Sequence, residues 1–588
     1  MRVILFVLAC FLAVSARSQY YLRGIVKDER GTPLYNAKIF LSSKGTIPFY
    51  TGSSGAFGIP LSASTDSITV IAEGFETLRT VADAKKYNEY ILKIASAIKM
   101  VSTRKLSSLL PENPEDISDT YNHLGETYTT LIENEFTGAE RNPETGFALN
   151  INRASYSNIR RFINNDMEVP PDAVRIEEML NYFDVAYSTK KRNNAFYCNT
   201  QVTQTPWDAK NRLLFINLEA PLMNVDSVPP TNLVFLIDVS GSMDNPVRLP
   251  LLKDAFKMLV NNMRDKDTIA IVIYGGIVGT FMQPISCKYK DSIIQTISKL
   301  QASGETPGEA AIRTAYALAE RMFNKHSNNR IILATDGDFN VGQTTDKELE
   351  DLVVKHRQSG IYLTCLGVGM GNYKDSKLEA LAKKGNGNFA YIDNIHEAEK
   401  VLIAEFSKTL YSVANDAYMH VYFNPYYVKK YRLIGFDNKK DVVENNISEL
   451  EGGEIGSGHS FTAVFEIETQ NEYTDSIMRN NQQVNIARLQ LHYRLPENDN
   501  EVLNNYAVVN NFENFDACEK ILRFKTAVLM FGGLLKQSDL GKRYTWEDVL
   551  KIARNAANAD DYSQQEFLTI ADKAWSLYEP GKKKKKRN

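Results

Sequence analysis

Apolar and polar positions alternate in regular blocks between residues 230 and 413, and this pattern predicts strands that alternate with helices. The run Leu233 to Ile237 is wholly apolar, which is typical of a strand buried on both faces. Alternating strands and helices favour a mostly parallel sheet covered on both faces, a doubly wound α/β fold. The predicted strands are 233–238, 268–274, 330–335, 361–366 and 389–393, and the predicted helices are 249–263, 290–301, 308–323, 346–357, 375–384 and 395–410.

Strand-like runs lie on both sides of this α/β unit, which we assign to residues 230–413. Runs within 196–219 come before it, and further runs between 417 and 493 come after it. We expect these strands to pair, so that the α/β unit is inserted in a β-sandwich with its two ends close together. The segment 141–229 would then hold helices followed by strands. The segment 414–578 would hold the later strands and a C-terminal helical region, where Thr545 and Asp548 have the spacing of a capping box.

The N-terminal part predicts a leader followed by a separate small module. Residues 1–18 have a basic start, an apolar core and small residues near the end, which is the pattern of a secretory signal peptide. Short strand-like runs between turn residues predict a small antiparallel β-sandwich over 20–94. Residues 95–140 show no regular spacing of apolar residues and are predicted to be a linker. We therefore expect an exported protein of the periplasm, cell envelope or cell surface, with lipidation at Cys10 left open.

The last residues, 579–588, form a basic tail with a run of lysines. Such a run is typical of a solvated, disordered tail. Alternatively, the basic tail makes weak contacts with an anionic surface.

Oxygen-bearing side chains follow two of the predicted strands and lie in one further loop. Asp238, Ser240 and Ser242 alternate directly after the first strand, Thr306 lies in a later loop, and Asp336 follows the strand 330–335. In a parallel sheet, loops at the carboxyl ends of the strands form the ligand crevice. Carboxylates and hydroxyls suit a hard cation such as Mg²⁺. Because hydroxyls are neutral, a cation held by them keeps enough charge to attract an oxygen from outside.

This combination resembles the metal-ion-dependent adhesion site of von Willebrand factor type A domains, on the residues Asp238-x-Ser240-x-Ser242, Thr306 and Thr335-Asp336-Gly337. The resemblance implies that Ser240, Ser242 and Thr306 touch the metal. It also implies that Asp238 and Asp336 hold the ion, usually through water. A carboxylate or other oxygen of a partner would take the open position. The implied ion is Mg²⁺ or Mn²⁺, with Ca²⁺ as an alternative.

Two further resemblances cover much of the remaining chain. The N-terminal module resembles the carboxypeptidase regulatory-like domain, an accessory β-module whose name implies no peptidase activity, on Gly24-x-Val26-x-Asp28, Gly31-x-Pro33-Leu34 and Gly55-x-Phe57. The segments before and after the type A domain resemble one family of exported bacterial proteins with a C-terminal domain of unknown function. The sharpest motif of that resemblance runs from Leu333 to Gly342.

Four acidic residues fall in or beside the metal loops and bear on the ligand chemistry. If they face the crevice, they repel an incoming carboxylate. They would then favour a partner with a basic patch, or hold a second cation such as Ca²⁺, and both alternatives stay open. These rim residues are Asp244, Glu305, Glu309 and Asp338.

Composition excludes several function classes. The chain has 588 residues and a formal net charge of −3, which does not suggest nucleic-acid binding. Its seven histidines are not placed in a pattern that indicates a Ser-His-Asp triad, and the sequence has no His-Glu-x-x-His motif. We therefore do not expect an enzyme. After the leader, no apolar run is long enough to span a membrane.

The predicted function is therefore an exported, metal-dependent protein-binding protein of the adhesion type. Its partner would be another protein of the cell envelope or the extracellular space. The alternatives are an envelope scaffold with a purely structural metal and a metal-assisted hydrolase. The partner's identity, the oligomeric state and any disulfides stay open.

Overall fold

The structure is a computed structural model that describes most of the chain between residues 20 and 579. The described residues are 20–93 with short gaps at 36, 45–47, 53, 62 and 73–74, then 126, 128, 131–149, 151–183, 196–223, 228–304, 308–337, 346–370, 374–405, 412–437, 453–480, 482–496 and 500–579. The predicted signal peptide, Cys10 and the lysine run of the tail lie outside these residues.

Residues 20–92 form two small β-sheets that share one apolar core. The strands are β1 (Tyr20–Asp28), β2 (Lys38–Leu41), β3 (Phe49–Tyr50), β4 (Ala56–Leu61), β5 (Thr65–Ile71), β6 (Leu78–Asp83) and β7 (Tyr87–Leu92). One sheet has the order β4-β1-β7 and the other β3-β2-β5-β6. Every second side chain of a strand points to the same face, and β4 accordingly alternates exposed and buried residues along its whole length.

Between β7 and the α/β unit, the described residues form further strands and two helices. They are β8 (Thr137–Gly138), β9 (Glu144–Ala148), α1 (Ala154–Asn164), α2 (Ile176–Tyr182), β10 (Tyr197–Gln204) and β11 (Asn211–Glu219). Helix α1 is buried around nearly its whole surface, although it carries arginines at positions 160 and 161. A helix buried in this way is a core element, and its charges need partners.

The α/β unit is a six-stranded sheet with helices on both faces. Its elements are β12 (Thr231–Asp238), α3 (Leu249–Asn262), β13 (Thr268–Gly275), β14 (Ile277–Ser286), α4 (Lys290–Ser298), α5 (Gly308–Met322), β15 (Asn328–Thr335), α6 (Asp346–Gln358), β16 (Ile361–Val368), α7 (Asp375–Lys384), β17 (Phe389–Ile392) and α8 (Ile395–Glu399). The strand order is β14-β13-β12-β15-β16-β17, and all neighbours are parallel except β13 and β14. Separate apolar clusters fill the two faces. The α/β fold predicted from the sequence is confirmed.

Two elements of this unit differ from the prediction. Strand β14 was not predicted, because its apolar and polar residues do not alternate regularly and it contains Pro284. Proline is tolerated here because β14 is an edge strand. The helix predicted over 395–410 is wrong in part, since α8 ends at Glu399 and one π-helical turn follows over Lys400–Ala404. Residues 406–411 lie outside the described part of the chain.

The C-terminal part adds strands and then a helical layer. Its elements are β18 (Ser412–Phe423), β19 (Val428–Ile434), β20 (Gly453–Gly456), β21 (Ser460–Thr469), α9 (Glu472–Arg479), β22 (Asn485–Arg494), β23 (Glu501–Val509), β24 (Phe512–Glu513), α10 (Lys520–Leu535), α11 (Trp546–Ala556) and α12 (Tyr562–Tyr578). Strand β11 pairs antiparallel with β21, so strands from before and after the α/β unit share one sheet. That sheet has the order β24-β10-β11-β21-β19-β8, and a second has β20-β18-β22-β23 with β9 against β18.

Helix α11 begins with the capping box predicted at Thr545 and Asp548. The Thr545 hydroxyl accepts from the Asp548 amide at 3.3 Å, and the Asp548 carboxylate accepts from the Thr545 amide at 2.9 Å. We expect Thr545→Ala to lower the free energy of unfolding by about 1 kcal/mol, because the Asp548 amide loses its side-chain acceptor. Urea denaturation measures this loss. The control is Thr569→Ala, at an exposed position inside α12, and equal effects of the two substitutions would contradict the capping role.

Buried arginines join α1 and α2 to the carboxyl edge of β16 and β17. The Arg160 Nε lies 2.7 Å from the Asp393 carboxylate, which follows β17. The Arg161 Nη1 donates to the carbonyl oxygen of Gly369, just after β16, at 3.2 Å. The Arg175 Nη2 lies 2.7 Å from a carboxylate oxygen of Asp375 at the start of α7. These contacts hold the preceding segment against the same edge of the sheet where β12 and β15 end.

The same interface predicts a pH dependence of stability at Glu178. Burial raises the pKa of Glu178 to about 8, and Arg175 offsets this only in part, because it lies 3.8 Å away and also binds Asp375. A carboxyl whose pKa is raised in the folded state contributes stability below its unfolded pKa and loses it as the pH rises. We therefore expect the free energy of unfolding to fall between about pH 5 and pH 8. Glu178→Gln should flatten this slope, because an amide side chain does not titrate. The variant should still fold, since the amide oxygen can accept from the Ser155 amide.

Urea denaturation at three pH values in this range measures the slope for wild type and variant. The control is Glu519→Gln, an exposed acid before α10, which should keep the slope of the wild type. A Glu178→Gln profile parallel to that of the wild type would show that Glu178 does not titrate in this range.

Candidate functional site

The first carboxylate of the crevice, Asp238, ends β12 and is held rigidly. It is fully buried, and its two oxygens accept from different groups. The Thr335 hydroxyl donates to Asp238 Oδ2 at 2.9 Å, and the Ser240 amide donates to Oδ1 at 2.9 Å. Strands β12 and β15 are parallel neighbours, and this is why their terminal residues meet at one edge.

The two hydroxyls of the motif lie side by side in the loop after Asp238. Residues Gly241–Met243 form a single 3₁₀ turn, and this turn brings Ser242 back toward Ser240. Their Oγ atoms are 3.1 Å apart. Ser240 is almost fully buried, whereas Ser242 is exposed, so the hydroxyl pair opens to solvent on one side.

The second carboxylate, Asp336, contacts an arginine that the sequence analysis did not single out. Asp336 is 2% exposed, and its Oδ2 accepts from Arg248 Nη1 at 2.8 Å. The same nitrogen donates to the carbonyl oxygen of Ser242 at 2.5 Å. Arg248 directly precedes α3, and no local pattern marks it, because its partner is 88 residues away in the sequence. The crevice therefore contains a fixed positive charge beside its carboxylates.

The loop that leads to Thr306 is attached to the loop after Asp238. The Ser303 amide donates to the Val239 carbonyl at 2.6 Å, and the Gly241 amide donates to the Gly304 carbonyl at 2.9 Å. Gly304 has a φ of +79°, and a Cβ there would lie 2.3 Å from the Cα of Gly276. Only glycine fits this approach, which holds Gly304 in a defined position next to the hydroxyl loop.

Not every predicted site residue can be placed. Thr306, Glu305 and Asp338 lie outside the described residues, and for Glu309 only the backbone, within α5, is described. The rim residue Asp244 follows the 3₁₀ turn and is exposed. The structure thus brings together Asp238, Ser240, Ser242 and Asp336, and the role of the four rim acids stays a prediction.

The buried carboxylate of Asp238 is electrostatically unusual. Burial raises its pKa to about 6, and the nearby Asp336 acts in the same direction, while hydrogen bonds from Ser240 and Thr335 act against it. Removal from water disfavours the charged form of an acid. An added positive charge in the crevice would therefore stabilise the ionised form of Asp238.

Two negative findings apply to the described part of the chain alone. No group of three or more histidine, cysteine, aspartate and glutamate side chains in it is arranged to hold a metal ion. The crevice does not form such a group, because Ser240 and Ser242 contribute hydroxyls and only two of its described side chains are carboxylates. Across the same stretches, no helix is both long and apolar enough to cross a membrane.

Comparisons with known proteins define the class. The von Willebrand factor type A domain model matches residues 232–402, and a model described as von Willebrand factor matches 122–215. The model "Uncharacterized protein YfbK, C-terminal" matches 408–577. The chain is therefore a von Willebrand factor type A domain protein, a class that commonly mediates protein–protein interaction and adhesion and is generally non-enzymatic.

More particularly, the chain belongs to the family of the uncharacterized protein YfbK of Escherichia coli (strain K12). The two are 33% identical over 466 residues, which cover 76% of this chain and 80% of that protein. Inter-alpha-trypsin inhibitor heavy chain H2 of Mesocricetus auratus is 30% identical over 190 residues, covering 31% of this chain and 19% of that protein. A solved von Willebrand factor type A structure from Catenulispora acidiphila aligns with a TM-score of 0.39 and 15% identity, over 64% of this chain and 93% of that one.

Proposed function

We propose that this chain is an exported protein that binds a partner through a divalent cation. Mg²⁺ or Mn²⁺ would be held by Asp238, Ser240, Ser242, Thr306 and Asp336. The open coordination position would accept an oxygen of a protein in the cell envelope or extracellular space. The observation that carries the proposal is the hydroxyl pair of Ser240 and Ser242, 3.1 Å apart beside two buried carboxylates.

The spacing of the hydroxyls fits one small cation. Mg²⁺ prefers octahedral coordination at about 2.1 Å, so two adjacent ligands are about 3.0 Å apart. The Ser240 and Ser242 Oγ atoms differ from this spacing by about 0.1 Å. An ion held by these neutral oxygens would keep much of its charge for a ligand from a partner.

The carboxylates fit the same ion for an electrostatic reason. Asp238 is fully buried and its pKa is raised to about 6, so near neutral pH its ionised form lacks solvation. A divalent cation nearby would compensate for the lost water. A scaffold whose metal only braces these loops is the second candidate, favoured by the backbone hydrogen bonds that already link residues 239 and 241 of the hydroxyl loop to residues 303 and 304.

Calorimetry with Mg²⁺ and Mn²⁺ tests the proposal. We expect the wild type to bind one ion per chain and Asp238→Asn to lose this binding. The matched control is Asp254→Asn, which removes an acid that is 64% exposed on α3. Wild type that binds neither ion would contradict the proposal. If an ion binds, a pull-down from envelope extract with and without EDTA separates the two candidates, because only the binding protein needs metal to retain a partner.

We propose that residues 20–94 are a carboxypeptidase regulatory-like module and that the type A domain is inserted in a β-sandwich. The pairing of β11 with β21 supports the insertion, and the two-sheet arrangement of β1 to β7 supports the module. Export rests on the sequence pattern of residues 1–18.

A further inference from the structure

We infer that Arg248 is a resident counter-ion of the crevice that competes with the divalent cation for Asp336 and thereby weakens cation binding. The inference rests on the proposed function, because it concerns regulation of the same site. Arg248 lies in the loop between the hydroxyl pair and α3. Nothing in the Asp-x-Ser-x-Ser motif itself requires a positive charge there.

Three contacts hold the guanidinium in place. Its Nη1 donates to Asp336 Oδ2 at 2.8 Å and to the Ser242 carbonyl at 2.5 Å, and its Nη2 donates to the Met370 carbonyl. The acceptors belong to the loops after β15, β12 and β16, so one side chain ties three crevice loops together. A charge fixed by three acceptors does not swing freely into solvent.

The loop after β16 is shaped to receive this side chain. Gly369 has a φ of +77°, and a Cβ there would lie 2.4 Å from Arg248 Nε and 2.8 Å from its Cγ. Any other residue would collide with the arginine stem. The opposite side of this loop is held by Arg161 and the Tyr391 hydroxyl, which both donate to the Gly369 carbonyl. The slot for Arg248 is therefore part of the packed structure.

The competition follows from charge and burial. The Arg248 and Asp336 side chains are 15% and 3% exposed, so water screens their interaction weakly. The guanidinium is positively charged, so it neutralises part of the Asp336 charge. Ser242 contacts both sides of the site, since its carbonyl binds Arg248 while its hydroxyl pairs with Ser240. A cation held by the hydroxyls and Asp336 would therefore experience repulsion from a fixed like charge.

Calorimetry of Mg²⁺ binding tests this inference on the full chain at one ionic strength. We expect Arg248→Gln, which removes the charge, to bind Mg²⁺ at least about tenfold more tightly than wild type. Arg248→Lys keeps the positive charge but not the guanidinium fork, so it should bind Mg²⁺ more weakly than Arg248→Gln. Lys257→Gln is the control, because it removes a positive charge from α3, the helix that follows Arg248, at an ion pair with the exposed Asp254.

Thermal unfolding gives an independent readout. In EDTA, Arg248→Gln should melt below the wild type, because Asp336 loses its counter-charge, and Mg²⁺ should raise its melting temperature more than that of the wild type. If the glutamine variant does not fold, Arg248→Met is measured in its place, since its unbranched stem still packs against Gly369.

The outcomes separate the inference from the proposed function. Wild type that binds Mg²⁺ with a neutral variant of equal or weaker affinity overturns the inference and leaves the proposed function standing. Tighter binding by the neutral variants than by the wild type supports the inference. Absence of binding in wild type and in every variant overturns both.

Discussion

Arg160→Met is expected to lower the free energy of unfolding by about 3 to 5 kcal/mol, because it leaves several carboxylates buried without their counter-charge. Arg160 contacts Asp393 with Nε at 2.7 Å, Glu397 with Nη2 at 2.7 Å and Glu566 with Nη1 at 2.6 Å. The side chains of Asp393 and Glu397 are only 8% and 2% exposed. Removing one member of such a group costs far more than removing a surface ion pair.

Urea denaturation of wild type and Arg160→Met measures this effect. The matched control is Arg554→Met. The Arg554 side chain is 58% exposed and forms an ion pair with Asp572. We expect the control to lose less than about 1 kcal/mol. A loss of similar size in both variants would mean that the buried group contributes no more than a surface pair. Because Arg160 joins α8 to α12, its loss should also separate the unfolding of the α/β unit from that of the C-terminal helices.

Gly275→Ala is expected to weaken Mg²⁺ binding at least about tenfold and to destabilise the fold by about 2 kcal/mol or more. Gly275 ends β13 with a φ of +150°, and a Cβ there would lie 2.4 Å from the Val239 carbonyl carbon and 2.5 Å from the Ser240 nitrogen. These are backbone atoms of the loop that carries the hydroxyl pair. The alanine therefore cannot be accommodated by a side-chain rotation, and the Ser240 backbone must move.

Calorimetry and urea denaturation of Gly275→Ala measure the two effects. The control is Gly241→Ala within the loop itself, where a Cβ would meet only the Gly304 carbonyl oxygen at 3.6 Å, an ordinary contact. We expect this control to bind Mg²⁺ like the wild type. If both variants bind equally, the close approach of β13 to the loop does not position the hydroxyls.

The sequence was sufficient for features that depend on local pattern. The apolar run before Asp238 predicted a buried strand, and its carboxylate lies at the strand end as expected. The motif after that strand placed Ser240 and Ser242 in one loop, where their hydroxyls lie 3.1 Å apart, and the capping box at Thr545 depended on residues three apart. In each case one short segment contains all the interacting groups.

Features built from distant residues were not predictable. Arg248 and Asp336 are 88 residues apart, and Arg160 and Asp393 are 233 apart, with no periodic pattern to connect them. An arginine inside the helical pattern of α1 is typical of a solvent-facing position, yet Arg160 is buried. Burial there becomes favourable only once the acids after β17 and in α12 are brought around it. Strand β14 was missed for a different reason, since it is an edge strand that contains Pro284 and shows no regular alternation of apolar and polar residues.

The central claim is that a divalent cation binds between the hydroxyl pair and the carboxylates at the carboxyl edge of the sheet. The most direct test is anomalous diffraction from crystals of the full chain grown with Mn²⁺. We expect one anomalous peak within about 2.5 Å of the Oγ atoms of Ser240 and Ser242. Ordered density for both serines with no peak at this edge, or a Mn²⁺ peak elsewhere, would contradict it.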